Sequence, residues 1–377
     1  MSEAAKDLRA DALVASYERA GYARVSPAML QPAEPFLDLS GEDIRRRMYL
    51  VNDPAGGELC LRPDLTIPVA LDYLASPIAG KPAQFCYLGP IFRQREDGPA
   101  EFLQAGIESF GRADTPAADA ETLALALEAT ALYGLSEPAI RMGDVALFSA
   151  FVGALDLAPA WKRRLAKDFN RKSSLAHDLD RLALASPNGR PEYQGVLAAL
   201  ANSDPKAAHA LVTDLLSIAG ITAVGGRSVG EIADRFLEQA ALGAGSALPG
   251  ATRKLIERFL AIGGDPDEAA AELRALAADA RLALAPALDL FESRTGFLAA
   301  RGVNLRRISF STAFGRGLDY YTGMVFELHD PSHKVAGELV AGGRYDGLFA
   351  RLGAAQAVPA VGFAAWLDGL VALGGKL

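Results

Sequence analysis

The sequence predicts an α+β fold, a largely antiparallel sheet flanked by helices and interrupted by a helical insertion. Three observations carry that expectation. Residues 1–140 mix short apolar extended runs with helical spacing, residues 141–305 turn rich in Ala and Leu and poor in aromatics, and strand-like runs return over 306–377. Because the runs are short and separated by turns, antiparallel pairing suits them better than the long crossovers of a doubly wound sheet. The expected domains are a core in two pieces, 1–140 and 306–377, around a mostly helical insertion at 141–305.

The elements follow in order. Leu8, Ala12, Ala15 and Ala20 recur near helical spacing and stop at Gly21, which predicts a helix over 7–20. Extended runs punctuated by Pro and Gly follow at 45–51, 58–61, 83–88 and 102–112. Thr115 as N-cap with Pro116 behind it opens a helix that ends near Gly134. In the insertion, Asp204-Pro205 and Asp265-Pro266 mark helix starts, the second with Glu268 three residues past the cap in a capping-box arrangement. Gly225-Gly226 and Gly263-Gly264 break the helices. Runs at 307–312, 324–328 and 335–340 read as the last strands, and Trp366, Leu367, Leu370 and Val371 as a terminal helix over 364–373.

Half of the 377 residues are hydrophobic, 22% are charged and the formal net charge is -8. That is a soluble globular composition whose overall field opposes nucleic acid. The densest basic clusters, 45–47 and 162–164, read as solvated or helix-end charges, with partner contact as the other reading. Cys60 and Cys86 lie in apolar runs and read as buried thiols. Of the four histidines only His329 and His333 come close together, across a turn. No run approaches the roughly 18 apolar residues of a membrane span, and the polar N-terminus has no apolar leader. A cytoplasmic protein without metal, cofactor, nucleic acid or membrane partner is expected.

Four stretches carry chemistry. RGLDYY (316–321) and AGGRYDGL (341–348) are glycine-jointed turns that each bring tyrosine and arginine to the end of an apolar segment. Such turns can line a small polar pocket for a ring-bearing zwitterion. LRPDLT (61–66) ends a strand and opens a helix. Asp64 there either caps the helix or, with Thr66, meets a ligand ammonium. In FLQAGIESFG (102–111), Gln104, Gly106 and Glu108 share one strand face. An amide, a glycine and a carboxylate suit a pocket wall better than an apolar core, with the glycine leaving room for a ligand.

The order RPD-x-T, GPIFR, Q-x-G-x-E-x-FG, RGLDYYTG-x-VFE, AGGRYDGL, VGF resembles the catalytic domain of histidyl-tRNA synthetase, over roughly 1–140 and 305–377. More narrowly it resembles that enzyme's paralogues, the regulatory subunits of ATP phosphoribosyltransferase. The resemblance implies a class II aminoacyl-tRNA synthetase-like antiparallel sheet with a histidine pocket. By matching motif, Asp64, Thr66, Gln104 and Glu108 surround the α-amino group, Arg93 and Arg316 face the carboxylate, and Tyr321 and Tyr345, with Tyr320 beside them, contact the imidazole. Synthetases usually carry Glu at the place of Asp64.

The same comparison argues against catalysis. Arg93-Gln94-Arg95 displaces Glu96 by one from its expected place, the loop near Ala100 lacks an arginine, and Gly369 stands where a phosphate-binding arginine belongs. A phosphate-stabilising arginine is worth on the order of 10³-fold or more in rate. The chain also stops at Leu377, without room for an anticodon-binding domain. The resemblance thus implies a non-catalytic, histidine-binding subunit of the ATP phosphoribosyltransferase complex, in the first step of histidine biosynthesis. Its implied partner is the short-form catalytic subunit, with a homodimer of this chain inside a hetero-oligomer, and with activation and histidine feedback as its roles. The alternatives are a catalytic fragment of histidyl-tRNA synthetase or a ligase for another acid, and an interaction protein with a relict pocket.

Overall fold

The computed structural model describes residues 8–39, 41–52, 56–96, 98–169, 205–218, 233, 250–318 and 320–374. Asp204, the Gly225-Gly226 break and Asp319 of the RGLDYY stretch lie outside them. Contacts divide the chain into two compact units, 1–150 with 259–377, and 151–258. Composition sets the insertion at 141–305; by contacts, 141–150 and 259–305 group with the first unit.

The N-terminal elements are α1 (Leu8–Arg19), β1 (Ala23–Val25), β2 (Leu30–Pro32), α2 (Glu34–Leu39), α3 (Gly41–Arg47), β3 (Tyr49–Asn52), β4 (Glu58–Leu61), α4 (Thr66–Leu74), β5 (Ala83–Phe92), β6 (Glu101–Phe110), α5 (Thr115–Leu132), β7 (Ala139–Asp144) and α6 (Val145–Ala154). Then come α7 (Pro159–Asp168), α8 (Pro205–Ile218) and α9 (Gly250–Leu260). The chain closes with β8 (Gly263–Gly264), α10 (Pro266–Asp279), α11 (Ala285–Ala300), β9 (Ile308–Ser311), β10 (Met324–His329), β11 (Glu338–Arg344), α12 (Leu348–Arg351), β12 (Ala360–Trp366) and α13 (Leu367–Ala372).

The first unit is built on a nine-stranded sheet in the order β1-β5-β6-β12-β11-β10-β7-β9-β8. Only β1–β5 and β7–β9 pair in parallel; every other neighbour is antiparallel. The expected largely antiparallel α+β sheet is observed. A three-stranded sheet, β2-β4-β3, leads into α4. Helices α1 and α5 pack on the large sheet, and α11 lies beside α5. Between α5, α11 and the sheet runs a buried ionic network. Arg294 donates to Asp119 (2.8 Å) and Asp144 (2.6 Å), and Arg344 reaches Asp119 (2.8 Å) and Asp346 (2.8 Å). On the other side of the sheet centre, Phe110 meets Phe349 edge-on at 4.9 Å, and Tyr73 packs against both. In the second unit, α7 buries Trp161 and Leu165, and Arg164 pairs with Asp168.

Several boundaries differ from the sequence expectation. The run at 45–51 is split, because the three arginines finish α3, where positive charge complements a helix C-terminus, and only Tyr49–Asn52 pair as β3. Thr115 is the first residue of α5 rather than its cap; Asp114 holds the cap position with its carboxylate drawn to Arg112. At α10, Asp265 caps as expected, accepting from Asp267 N at 2.9 Å. Residues 364–366 are strand, not helix, because Ala364 and Ala365 pair with β11 on one side and β6 on the other. Residues 341–344 are strand interior rather than a turn. A Cβ on Gly342 would stand 2.3 Å from Gly362 O, so the glycine there serves close strand packing.

Candidate functional site

A cavity of about 210 Å³ opens over β6, β11 and β12, walled by the start of α4, the residue after β5 and the 316–321 segment. Eight of the nine residues singled out from the sequence line it: Asp64, Thr66, Arg93, Gln104, Arg316, Tyr320, Tyr321 and Tyr345. The ninth, Glu108, is fully buried beside it.

Alternation along β6 sets the acidic wall. Gln104 Oε1 accepts from Leu65 N at 3.0 Å, which ties the strand to the start of α4. Asp64 is buried and accepts from Ile67 N at 3.2 Å, so it caps the first turn of α4 while lining the cavity. Glu108 is held by hydroxyls, accepting from Tyr87 at 3.2 Å, from Thr66, and in a short contact from Tyr345. Burial pushes the Glu108 carboxyl well above the ordinary carboxylate range, and the charge of Asp64 adds to the rise. Burial also raises Asp64, but there Arg93 and two backbone amides pull the other way. Of the two acids, Glu108 is the one whose surroundings push it further toward the protonated form. The space over Gly106 is not left for a ligand. A Cβ there would stand 2.5 Å from the Tyr87 hydroxyl, the cross-strand neighbour that leans over it toward Glu108.

Arg93 leaves the end of β5, donates from Nε to Pro63 O at 2.6 Å, and is lowered to about 10 by burial, with Asp64 opposing. Arg316 is held by two carboxylates, Glu338 at 3.4 Å and Glu327 at 3.5 Å. Tyr320, Tyr321 and Tyr345 form a cluster with ring centroids 5.0, 5.7 and 6.3 Å apart, and the Arg316 guanidinium sits 5.8 Å from the Tyr321 ring. Rigid aromatic walls, paired carboxyls and two buried guanidiniums suit a small zwitterion.

Sequence reasoning missed five residues. Glu327, Glu338, Arg47 and Trp366 line the cavity, and Tyr87 supports Glu108. Glu327 was legible as the acid of VFE at 325–327, and Tyr87 as an aromatic in the run 83–88. Arg47 was hidden in its basic cluster, and Glu338 carries no motif.

The positions that depart from the synthetase pattern are filled by other contacts. The Arg95 guanidinium lies 3.3 Å over the ring of Phe102, with Asp368 attracting it. A Cβ on Gly369 would stand 3.1 Å from Leu339 Cδ2, so a longer side chain there would have to displace packed apolar atoms. Among the described residues no group of three or more His, Cys, Asp and Glu could hold a metal ion, and no helix is long and apolar enough to cross a membrane.

The sequence profile of the histidyl-tRNA synthetase family matches residues 2–226 and 211–370. The ATP phosphoribosyltransferase regulatory subunit of Brucella canis is 44% identical over 355 residues, 92% of each chain, and that of Brucella suis matches equally. The chain belongs to the family of ATP phosphoribosyltransferase regulatory subunits. Solved structures repeat the fold of these subunits. An ATP phosphoribosyltransferase regulatory subunit/histidyl-tRNA synthetase from Bacillus halodurans superposes with TM-score 0.67 at 21% identity, over 98% of this chain and 78% of its own. Histidyl-tRNA synthetase from Nostoc gives 0.63 at 18% identity, over 97% of this chain and 70% of its own. At these identities the likeness speaks for the class II synthetase-like fold alone.

Proposed function

We propose that this regulatory subunit is non-catalytic and binds L-histidine in the cavity described above. It assembles with the short-form catalytic chain of ATP phosphoribosyltransferase in the cytoplasm, is required for its activity, and transmits inhibition by histidine. This chain forms a homodimer within the hetero-oligomer. The observation that carries the reading is the charge layout of one small cavity. Carboxyls at Asp64 and Glu108 with Thr66 and Gln104 suit the α-ammonium, Arg93 and Arg316 suit the carboxylate, and the tyrosine rings flank the space for the imidazole. At about 210 Å³ the cavity is smaller than the ~300–1,000 Å³ of pockets that hold drug-sized ligands. A single amino acid suits it better than an aminoacyl-adenylate.

Feedback is then a coupling free energy between this pocket and the active site of the partner. Adenylation is the poorer reading, since Arg95 covers the face of Phe102 and Gly369 is packed against Leu339. The test is to mix the purified chain with a short-form phosphoribosyltransferase and assay with and without histidine. Activation by the chain, and inhibition that depends on it, are expected. A mixture that shows neither refutes the assignment, as would histidine-dependent exchange of pyrophosphate into ATP by this chain alone.

A further inference from the structure

Arg316 is neutralised by acids of the chain itself. Its Nη2 lies 3.4 Å from Glu338 and its Nε 3.5 Å from Glu327, while its own side chain is only 10% exposed. A guanidinium so deeply placed needs an anionic partner, and here the partners come from the chain itself. The two carboxylates are not equally fixed. Glu327, mid-strand in β10 and 14% exposed, is also bonded by His329 at 3.0 Å and approached by Arg141 at 3.6 Å. Glu338 is the first residue of β11, beside the register shift at Leu328/His329, and its side chain is 36% exposed. It can swing into water without breaking a strand pair, whereas Glu327 cannot leave without releasing His329.

We propose that Glu338 is a stand-in for the ligand carboxylate, occupying Arg316 until a ligand displaces it, and that it thereby sets how strongly the pocket favours ligands that carry a carboxylate. The inference rests on the histidine reading above and names a residue to which no motif points. Displacing Glu338 sets the attraction of Arg316 for the ligand carboxylate against the lost contact to the chain. Affinity for histidine is consequently lower than a vacant Arg316 would allow. A ligand without a carboxylate leaves Glu338 in place and is indifferent to it.

The experiment is titration calorimetry of the full chain with two probes, L-histidine and histidinol, in which a hydroxymethyl group replaces the carboxylate. Glu338→Gln is the main variant and Glu338→Ala the second. A partly exposed ion pair has the strength to shift affinity by up to about fivefold. Both variants are expected to bind histidine tighter by that factor and to bind histidinol as the parent chain does. Unchanged or weaker histidine binding in both variants overturns the proposal. So does an equal gain for both probes, which would signal a general field effect in place of competition for Arg316. If the parent chain binds neither probe, the histidine reading has failed and this inference falls with it. If the parent binds histidine and the ratio between probes does not move, this inference alone has failed.

Discussion

Glu108 offers the sharpest test of the pocket. Its carboxyl is fully buried, surrounded by the hydroxyls of Thr66, Tyr87 and Tyr345, and pushed well above the ordinary carboxylate range first by burial and then by Asp64. Burial and the neighbouring acid thus both favour the protonated form of Glu108. A ligand ammonium favours the carboxylate, so binding must expel that proton, and affinity must rise with pH until Glu108 ionises unaided. Glu108→Gln keeps the shape and removes the proton. Unit charges about 4 Å apart attract by ~4 kcal/mol at an effective dielectric of 20. After the cost of ionising the buried acid, a hydrogen bond to a charged group retains about 1.5–3 kcal/mol, or roughly ten- to 150-fold in Kd. Titration calorimetry at pH 7.5 in two buffers of different ionisation enthalpy counts the protons. The parent should release up to about one proton per site more than the variant, a difference in which the protons of the ligand cancel. Equal proton counts, or an affinity loss under about threefold, would refute the assignment of Glu108 to the ammonium. Stability gives a second readout. A raised carboxyl contributes stability below its unfolded value, which is lost as pH rises from there toward the folded value, so the unliganded variant should not share that loss.

Three further substitutions test the fold that positions the site. Arg294→Met removes one donor each from Asp119, which keeps Arg344, and from Asp144, which keeps the amides of Ala146 and Leu147, and should cost about 3 kcal/mol in denaturant unfolding, the low end for a broken buried pair; a loss under about 1 kcal/mol would show that the network is not a stabilising clasp. Gly362→Ala would place a Cβ 2.0 Å from Glu108 Oε2 and 2.4 Å from Ile107 O. It should lower the thermal midpoint, at a cost of about 1–3 kcal/mol, and weaken histidine binding together with it. Gly296→Ala, in the interior of α11 with nothing within 4 Å of the new methyl, should instead stabilise by about 0.5–1 kcal/mol, read as a higher thermal midpoint with histidine affinity unchanged.

Much of the site was legible because its residues sit in short local patterns. Alternation along 102–111 put Gln104 and Glu108 on one face, and β6 keeps them there, both buried. The turn at 316–321 brings Arg316 and Tyr321 to the same cavity. What failed was whatever depended on a neighbouring strand. The glycines at 342 and 343 resemble a turn in sequence, yet they lie in β11, where Gly362 and Phe363 leave no room for a side chain on Gly342 and Met324 O leaves none on Gly343. Gly106 resembles a gap, and the ring of Tyr87 fills it from β5. The helical spacing that begins at Trp366 gives way to strand over 364–366, where Ala364 and Ala365 pair on both edges and Trp366 on one, since pairing outweighs periodicity.

The residues proposed to meet the ammonium, Asp64, Thr66, Gln104 and Glu108, come from two pieces of chain joined by the bond from Leu65 N to Gln104. The carboxylate side is assembled from distant pieces, with Arg93 after β5 and Arg316 before β10. Its electrostatic state depends on acids in strands β10 and β11. Change at Glu338 or Glu327 can retune or disable the carboxylate side without touching the ammonium side. A regulatory subunit that senses an amino acid without reacting it, as proposed for this chain, would gain from such independence. Recognition at one end stays fixed, while the strength of the response is set at the other.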